Sequence, residues 1–176
     1  MNQFKYPIGK FELPSTFTNE QKQYYIDQIN LLPENIKEII KALNESDYEY
    51  PYRPDGWNIR QVIHHLCDSH INAYIRFKLA LTEDNPTIKP YEEDAFVRLS
   101  DSSYELIYSA ISILEGIHKK WVVLLQNMEE ADFDKSYYHP ESGRTWLLKD
   151  VLALYAWHSL HHLAHIRQAI MLKGAF

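Results

Sequence analysis

Cysteine, glycine and long apolar runs are all scarce in this chain. Its single cysteine, Cys67, excludes an internal disulfide and fits a reducing, cytoplasmic setting. Only five glycines occur among 176 residues, and from Thr18 onward nothing sustains the period-2 alternation of a half-buried strand. Met1 to Leu13 lacks the apolar core of a secretory leader, and unbroken apolar stretches are short, such as Trp121 to Leu125. Neither secretion nor membrane spanning is expected. Basic residues are in the minority, 18 Lys+Arg against 24 Asp+Glu, and they are scattered, so nucleic acid is not an expected partner.

What is present is apolar spacing of helical period. A chain of this length removes on the order of 70% of its unfolded surface from water, enough for one domain over residues 1–176 with its own core. After an extended arm at 1–17, four stretches read as helices: about 19–43, 58–82, 102–130 and 146–173. Thr18 or Asn19, Asn58, the Ser102-Ser103-Tyr104-Glu105 capping box and Thr145 supply their starts, and Gly174 stops the last. Pro33 should kink or split the first, because proline removes a backbone donor. The connection from Glu83 to Ser100 is long for a compact bundle and reads as a crossover or a lid. The expected class is all-α, a four-helix bundle with one long crossover.

The abundant residue is histidine, nine in all, four of them within His158 to His165. On a helix Leu147, Val151, Leu154, His158, His162, His165 and Ala169 fall on one side, so an apolar stripe turns into a histidine stripe. His158/His162 and His161/His165 are i,i+4 pairs able to offer two imidazoles to one point. One inward histidine is ordinarily a hydrogen-bonded core residue, but several on one face point to a metal, since burying unpaired imidazoles is costly. Ser159 follows His158, so the glutamate of a zincin motif is missing. A third ligand should come from His64, His65 or His70 on the second helix, where periodicity favours His70. Glu115 and His118 have the ExxH spacing of di-iron bundles, without the second copy such a site needs. Cys67 reads as buried and inert, Tyr74 and Trp157 as core, and Arg60, Arg76 and Arg144 as surface ion pairs rather than anchors for an anionic substrate.

The run from Arg53 to His70, the segment Tyr74-Ile75-Arg76-Phe77-Lys78 and the run from Tyr155 to Ile166 together resemble the YfiT branch of the DinB superfamily. Tyr6-Pro7-Ile8-Gly9-Lys10 and Tyr138-His139-Pro140 match it too, so the likeness covers nearly the whole chain. It implies a four-helix bundle holding one zinc or nickel ion through His65, His158 and His162, with His65 in place of the His70 that periodicity prefers. Asp68, one turn from His65, and the spare His161 then become the candidate catalytic side chains. The resemblance implies a metal-dependent hydrolase of a small molecule, often a homodimer. Relatives that transfer a low-molecular-weight thiol such as bacillithiol to electrophiles supply an S-transferase alternative. A structural zinc, a non-catalytic binding protein and a pH-sensing histidine module are the readings without chemistry.

Overall fold

The structure is a computed structural model that describes residues 2–176. Its α-helices are α1 (Asn2–Lys5), α2 (Asn19–Ile40), α3 (Ile59–Thr82), α4 (Glu93–Phe96), α5 (Ile107–Gln126) and α6 (Leu148–Leu172). Two strands, β1 (Ser136–His139) and β2 (Arg144–Leu147), form an antiparallel hairpin. Among the described residues no helix is long and apolar enough to cross a membrane.

The four long helices form the bundle. α2 packs on α5 and α6, and so does α3, so the helices go round in the order α2, α5, α3, α6 and sequence neighbours α2 and α3 sit diagonally. Two apolar clusters fix the directions. One joins Leu32, Ile36 and Ile40 of α2 to Ile59, Ile63 and Leu66 of α3, Ile107 and Leu114 of α5, and Ile166 of α6. The other joins Ile26 and Ile29 to Ala73 and Phe77, Trp121 and Leu125, and Leu148 and Leu152. Hence α3 and α5 run parallel, and α2 and α6 run opposite to them. A chain leaving α3 at Thr82 must travel back along a 24-residue helix, about 36 Å, before α5 can begin. That return is the physical reason for the long crossover.

Local chemistry sets the ends. Thr18 is the cap of α2: its hydroxyl accepts from the Gln21 N–H at 3.2 Å, and Gln21 Oε1 accepts from the Thr18 N–H at 2.8 Å. Asn58 and Gln61 do the same at α3, at 2.9 and 3.1 Å. In the turn before α3 a Cβ on Gly56 would lie 2.6 Å from Arg53 Cγ, so only glycine fits there.

The structure corrects several expectations. α2 passes unbroken through Pro33, because Ile29, Leu32 and Ile36, all fully buried, hold both halves against the bundle. The Ser102–Glu105 signal opens a 3-10 turn at Tyr104–Leu106 with no Ser103 side-chain cap, and α5 starts only at Ile107 and ends at Gln126. Thr145 lies in β2 and caps nothing, and α6 starts at Leu148. Where the sequence predicts a loop between the helices 102–130 and 146–173, the chain forms the hairpin, which extends to Leu147 at the expense of the expected helix start and whose four-residue strands are too short to show alternation. β1 also holds the crossover: the Ile88 N–H donates to the Tyr138 carbonyl at 3.0 Å and the Tyr138 N–H to the Pro86 carbonyl at 2.9 Å. Residues of the arm form α1, and its Lys5 carbonyl is used below.

Leu114→Ala should lower the unfolding free energy by about 3 kcal/mol, since this side chain is wholly buried among three helices. Asn58→Ala should lower it by about 1 kcal/mol through the lost cap. Urea titrations of the parent and both variants check the two sizes and their order.

Candidate metal centre

Both apolar clusters stop at the same level of the bundle, and the gap is filled by His70 of α3, His118 of α5, and His158 and His162 of α6. His65 joins them from α3. His65, His158 and His162 each bring one ring nitrogen to a common point, all within 4.8 Å of one another. The Nε2 atoms of His65 and His158 are 3.2 Å apart. Two zinc–nitrogen bonds of tetrahedral geometry place their donors about 3.3 Å apart, so this pair has the spacing of one edge of such a site.

Hydrogen bonds assign the protons. The Ile29 carbonyl accepts from His118 Nδ1, and a carbonyl can only accept, so His118 carries its proton there. Burial holds His118 at about 4, hence neutral, and its Nε2 is a lone pair. His70 Nδ1–H therefore donates to His118 Nε2 at 2.9 Å. His70 is also kept neutral by burial, so His158 Nδ1–H donates to His70 Nε2 at 3.1 Å. What remains on His158 is an Nε2 lone pair aimed at the common point. A second path mirrors the first: His165 Nε2–H donates to the Lys5 carbonyl at 3.1 Å, and His165 Nδ1 accepts from His162 Nδ1–H at 3.4 Å. His162 is left with an Nε2 lone pair as well.

His65 has no such support. Its Nδ1 is buried without a partner, and Trp57 packs on the ring at a centroid distance of 4.7 Å. With the proton on Nδ1, two lone pairs face each other across 3.2 Å; with it on Nε2, a lone pair is buried unpaired. Burial lowers His65 to about 4, so protonation does not resolve the conflict near neutrality. A divalent cation at the common point gives the facing lone pairs a partner and leaves only the Nδ1–H of His65 unpaired, and three neutral imidazoles are the donor set that zinc and nickel accept. The residues fit the ion.

The other expected residues lie elsewhere. Asp68 makes no hydrogen bond to His65. It lines a separate cavity of about 280 Å³ with His64, Cys67 and Asp101, where burial and the Asp101 charge push its carboxyl up to about 6. Burial pushes the Cys67 thiol in the same cavity up to about 12, so it is inert. His64 Nε2–H donates to the Ser103 carbonyl at 3.0 Å. His161 stacks on Trp157 with ring centroids 4.3 Å apart, and its Nδ1 is buried without a partner. Glu115 pairs with Lys37, which disposes of the ExxH reading of His118. Tyr74 packs beside the second apolar cluster, as expected of core. Arg60 pairs with Glu49 at 2.9 Å, and Arg144 lies over the Trp146 ring and 3.9 Å from Asp150.

Arg76 departs from the surface reading. It is 8% exposed, forms no ion pair within 4.0 Å among the described residues, and donates to the Lys89 carbonyl at 3.4 Å, while its charge also acts on the Tyr137 and Tyr155 hydroxyls and on Glu93. It stands two helical turns beyond Ser69, whose hydroxyl is 3.4 Å from that of Tyr155. Sequence reasoning weighs Arg76 as an anchor for an anionic substrate but sets it among the surface ion pairs, and it passes over His118 and Pro33 as parts of the centre. The available signal was an arginine on the inward stripe of α3 between Ala73 and Phe77.

Comparison with known proteins identifies the family and the fold. A model of the DinB superfamily matches residues 28–166. A presumptive metal-dependent hydrolase of Bacillus mycoides is 48% identical over 94% of this chain and 95% of its own. One from Bacillus anthracis is 47% identical over the same shares. The solved structure of YfiT from Bacillus subtilis, described as a presumed metal-dependent hydrolase with an unusual four-helix bundle topology, superposes with a TM-score of 0.93 at 38% identity, covering 98% of each chain.

Because the unfolded chain takes up protons on its histidines near 6.5 while the folded protein holds His65 and His118 near 4, stability is lost as pH falls through that window. Between about pH 7 and about pH 5, each should remove about 2 kcal/mol from the unfolding free energy of the metal-free protein. Urea titrations at the two pH values check this; equal midpoints would show that the layer is not buried neutral.

Proposed function

Since the chain belongs to the DinB superfamily, we propose that it is a metal-dependent hydrolase in which His65, His158 and His162 hold one divalent ion, zinc or nickel. The observation that carries this reading is the convergence of three imidazole nitrogens within 4.8 Å, two of them with protons held away by hydrogen bonds. Three protein ligands leave a coordination position open, as catalytic sites do. An ion there supplies Lewis acidity, polarising a carbonyl or phosphoryl oxygen and making water acidic enough to ionise near neutrality.

The chain's own residues then bind and orient. Arg76, buried and with no carboxylate in direct contact, recruits an acidic group on a small-molecule substrate, because a guanidinium taken out of water gains from a bidentate partner that a ligand can supply. Tyr155, whose hydroxyl is hydrogen-bonded to Ser69 and feels the Arg76 charge, packs its ring 5.4 Å from that of His158. His161 is the imidazole with an unused buried nitrogen and is the candidate proton carrier of the histidine cluster. Asp68, in its separate cavity, is placed to act on bulk protons rather than on the reacting centre.

A second reading is thiol transfer, in which a low-molecular-weight thiol is the nucleophile toward an electrophile. It is favoured by one observation: no carboxylate joins the three imidazoles among the described residues, so no carboxylate base stands beside them to activate water. In both readings the protein is cytoplasmic and works as a homodimer.

Metal content of tag-free protein, measured by mass spectrometry with metal supplied in excess, tests the centre. About one equivalent is expected in the parent and in His70→Ala, and none in His65→Ala, His158→Ala or His162→Ala, all with helicity retained. A metal-free parent overturns the proposal. Hydrolysis of anionic against neutral esters, run beside transfer of thiols to an electrophile, then separates the two reactions.

A further inference from the structure

Pro33 is the residue that bundle packing leaves unexplained. A proline inside a helix lacks the N–H that would bond the carbonyl four residues earlier, and it weakens the helix. Here the carbonyl four residues earlier is that of Ile29, and it accepts the proton of His118 Nδ1. In an unbroken helix that oxygen would be occupied by the residue-33 N–H, and the imidazole would have to share it.

We propose that Pro33, His118 and His70 are positioning residues: Pro33 frees the Ile29 carbonyl, which through His118 and His70 fixes the tautomer of His158 and presents its Nε2 to the ion. Each link is present in the geometry. Ile29 is wholly buried, so no water competes for its oxygen. His118 and His70 are 1% and 0% exposed, their rings stack at 4.9 Å and 20°, and the links from His118 to His70 to His158 are 2.9 and 3.1 Å. Each neutral ring passes the same orientation on, because it has one donor and one acceptor. Reversing any one of them would set two donors or two lone pairs face to face. The single carbonyl therefore sets three tautomers, and a shell of this kind is worth about 10- to 100-fold in metal affinity.

The inference rests on His158 being a ligand, and its test is arranged so that the two can fail separately. Nitrogen-15 spectra of histidine-labelled, metal-free protein read the tautomers directly, and zinc titration against a competing chelator reads the affinity. In the parent, His70, His118 and His158 should all carry the proton on Nδ1. Pro33→Ala should melt at or above the parent's temperature, since the helix gains a donor and a better helix former, yet bind zinc about tenfold or more weakly. Its His118 and His158 signals should shift toward tautomer mixtures. His70→Leu should show a similar loss of affinity, and His70→Gln, which keeps a donor and an acceptor, a smaller one. In a His118→Leu background Pro33→Ala should cost no further affinity, as expected of groups acting through one path.

Unchanged tautomers and affinity in Pro33→Ala overturn the proposal, as does an undiminished further loss in the His118→Leu background. A parent His158 protonated on Nε2 overturns it too. Tautomers as assigned in a parent that takes up no zinc leave the relay standing and refute the metal reading instead.

Discussion

A neutral imidazole has one N–H and one lone pair, and when buried it must find partners for both or bear the loss. A row of imidazoles bonded to one another passes that demand along and cannot end it. It ends only on a group that is not an imidazole. In this bundle two rows start on backbone carbonyls, Ile29 on α2 and Lys5 on α1, and both run toward the same point. Each therefore delivers a lone pair there, from His158 and from His162. With His65 arriving from α3, the centre of the molecule is a focus of lone pairs that no protein donor meets. A cation is the partner that such a focus lacks.

The topology makes this possible. Parallel α3 and α5 bring His70 and His118 to the same depth, and antiparallel α6 brings His158 there from the opposite direction. With apolar clusters above and below, the layer is dry enough to hold its imidazoles neutral, and neutrality is what makes their hydrogen bonds directional. The long return between α3 and α5 is the cost of that parallel pair. It is also used: Asp94, in α4 on the return, accepts from the Trp57 indole N–H at 2.9 Å, and Trp57 packs on His65. The connection thus bears on the one imidazole of the proposed ligand set that has no hydrogen-bonded support.

Much of this was legible in residue spacing. The i,i+4 pair His158/His162 follows from helical period alone, as do the caps at Thr18 and Asn58, because each depends only on neighbours within one or two turns. The choice between His65 and His70 was not legible in this way. Periodicity favours His70 because it lies on the inward stripe, and it is indeed wholly buried, but as a link behind His158 rather than as a ligand. Inwardness reports burial, not which ring nitrogen is free. Only the resemblance singled out His65. The hairpin escaped notice because strands of four residues carry no period, and its pairing with the crossover is a contact between distant segments. Pro33 was read as a local break, correctly for its own hydrogen bond and wrongly for the helix, since packing on both sides outweighs one lost bond.

Several of the places where local rules are broken lie in or next to one layer. Pro33 sits inside a helix, His70 and His118 are imidazoles in a core, His65 keeps an orphaned nitrogen, and Arg76 is a buried cation with no carboxylate in direct contact. Taken singly, each weakens the fold, and a bundle selected for stability alone would replace them with apolar side chains at little loss or some gain. Independent defects would be scattered along four helices. Here one defect removes the helix donor that another needs absent, a third transmits the result, and the fourth lies two turns further along the helix that carries His65. That coincidence is itself the evidence that stability has been given up at this level of the bundle for a function located there.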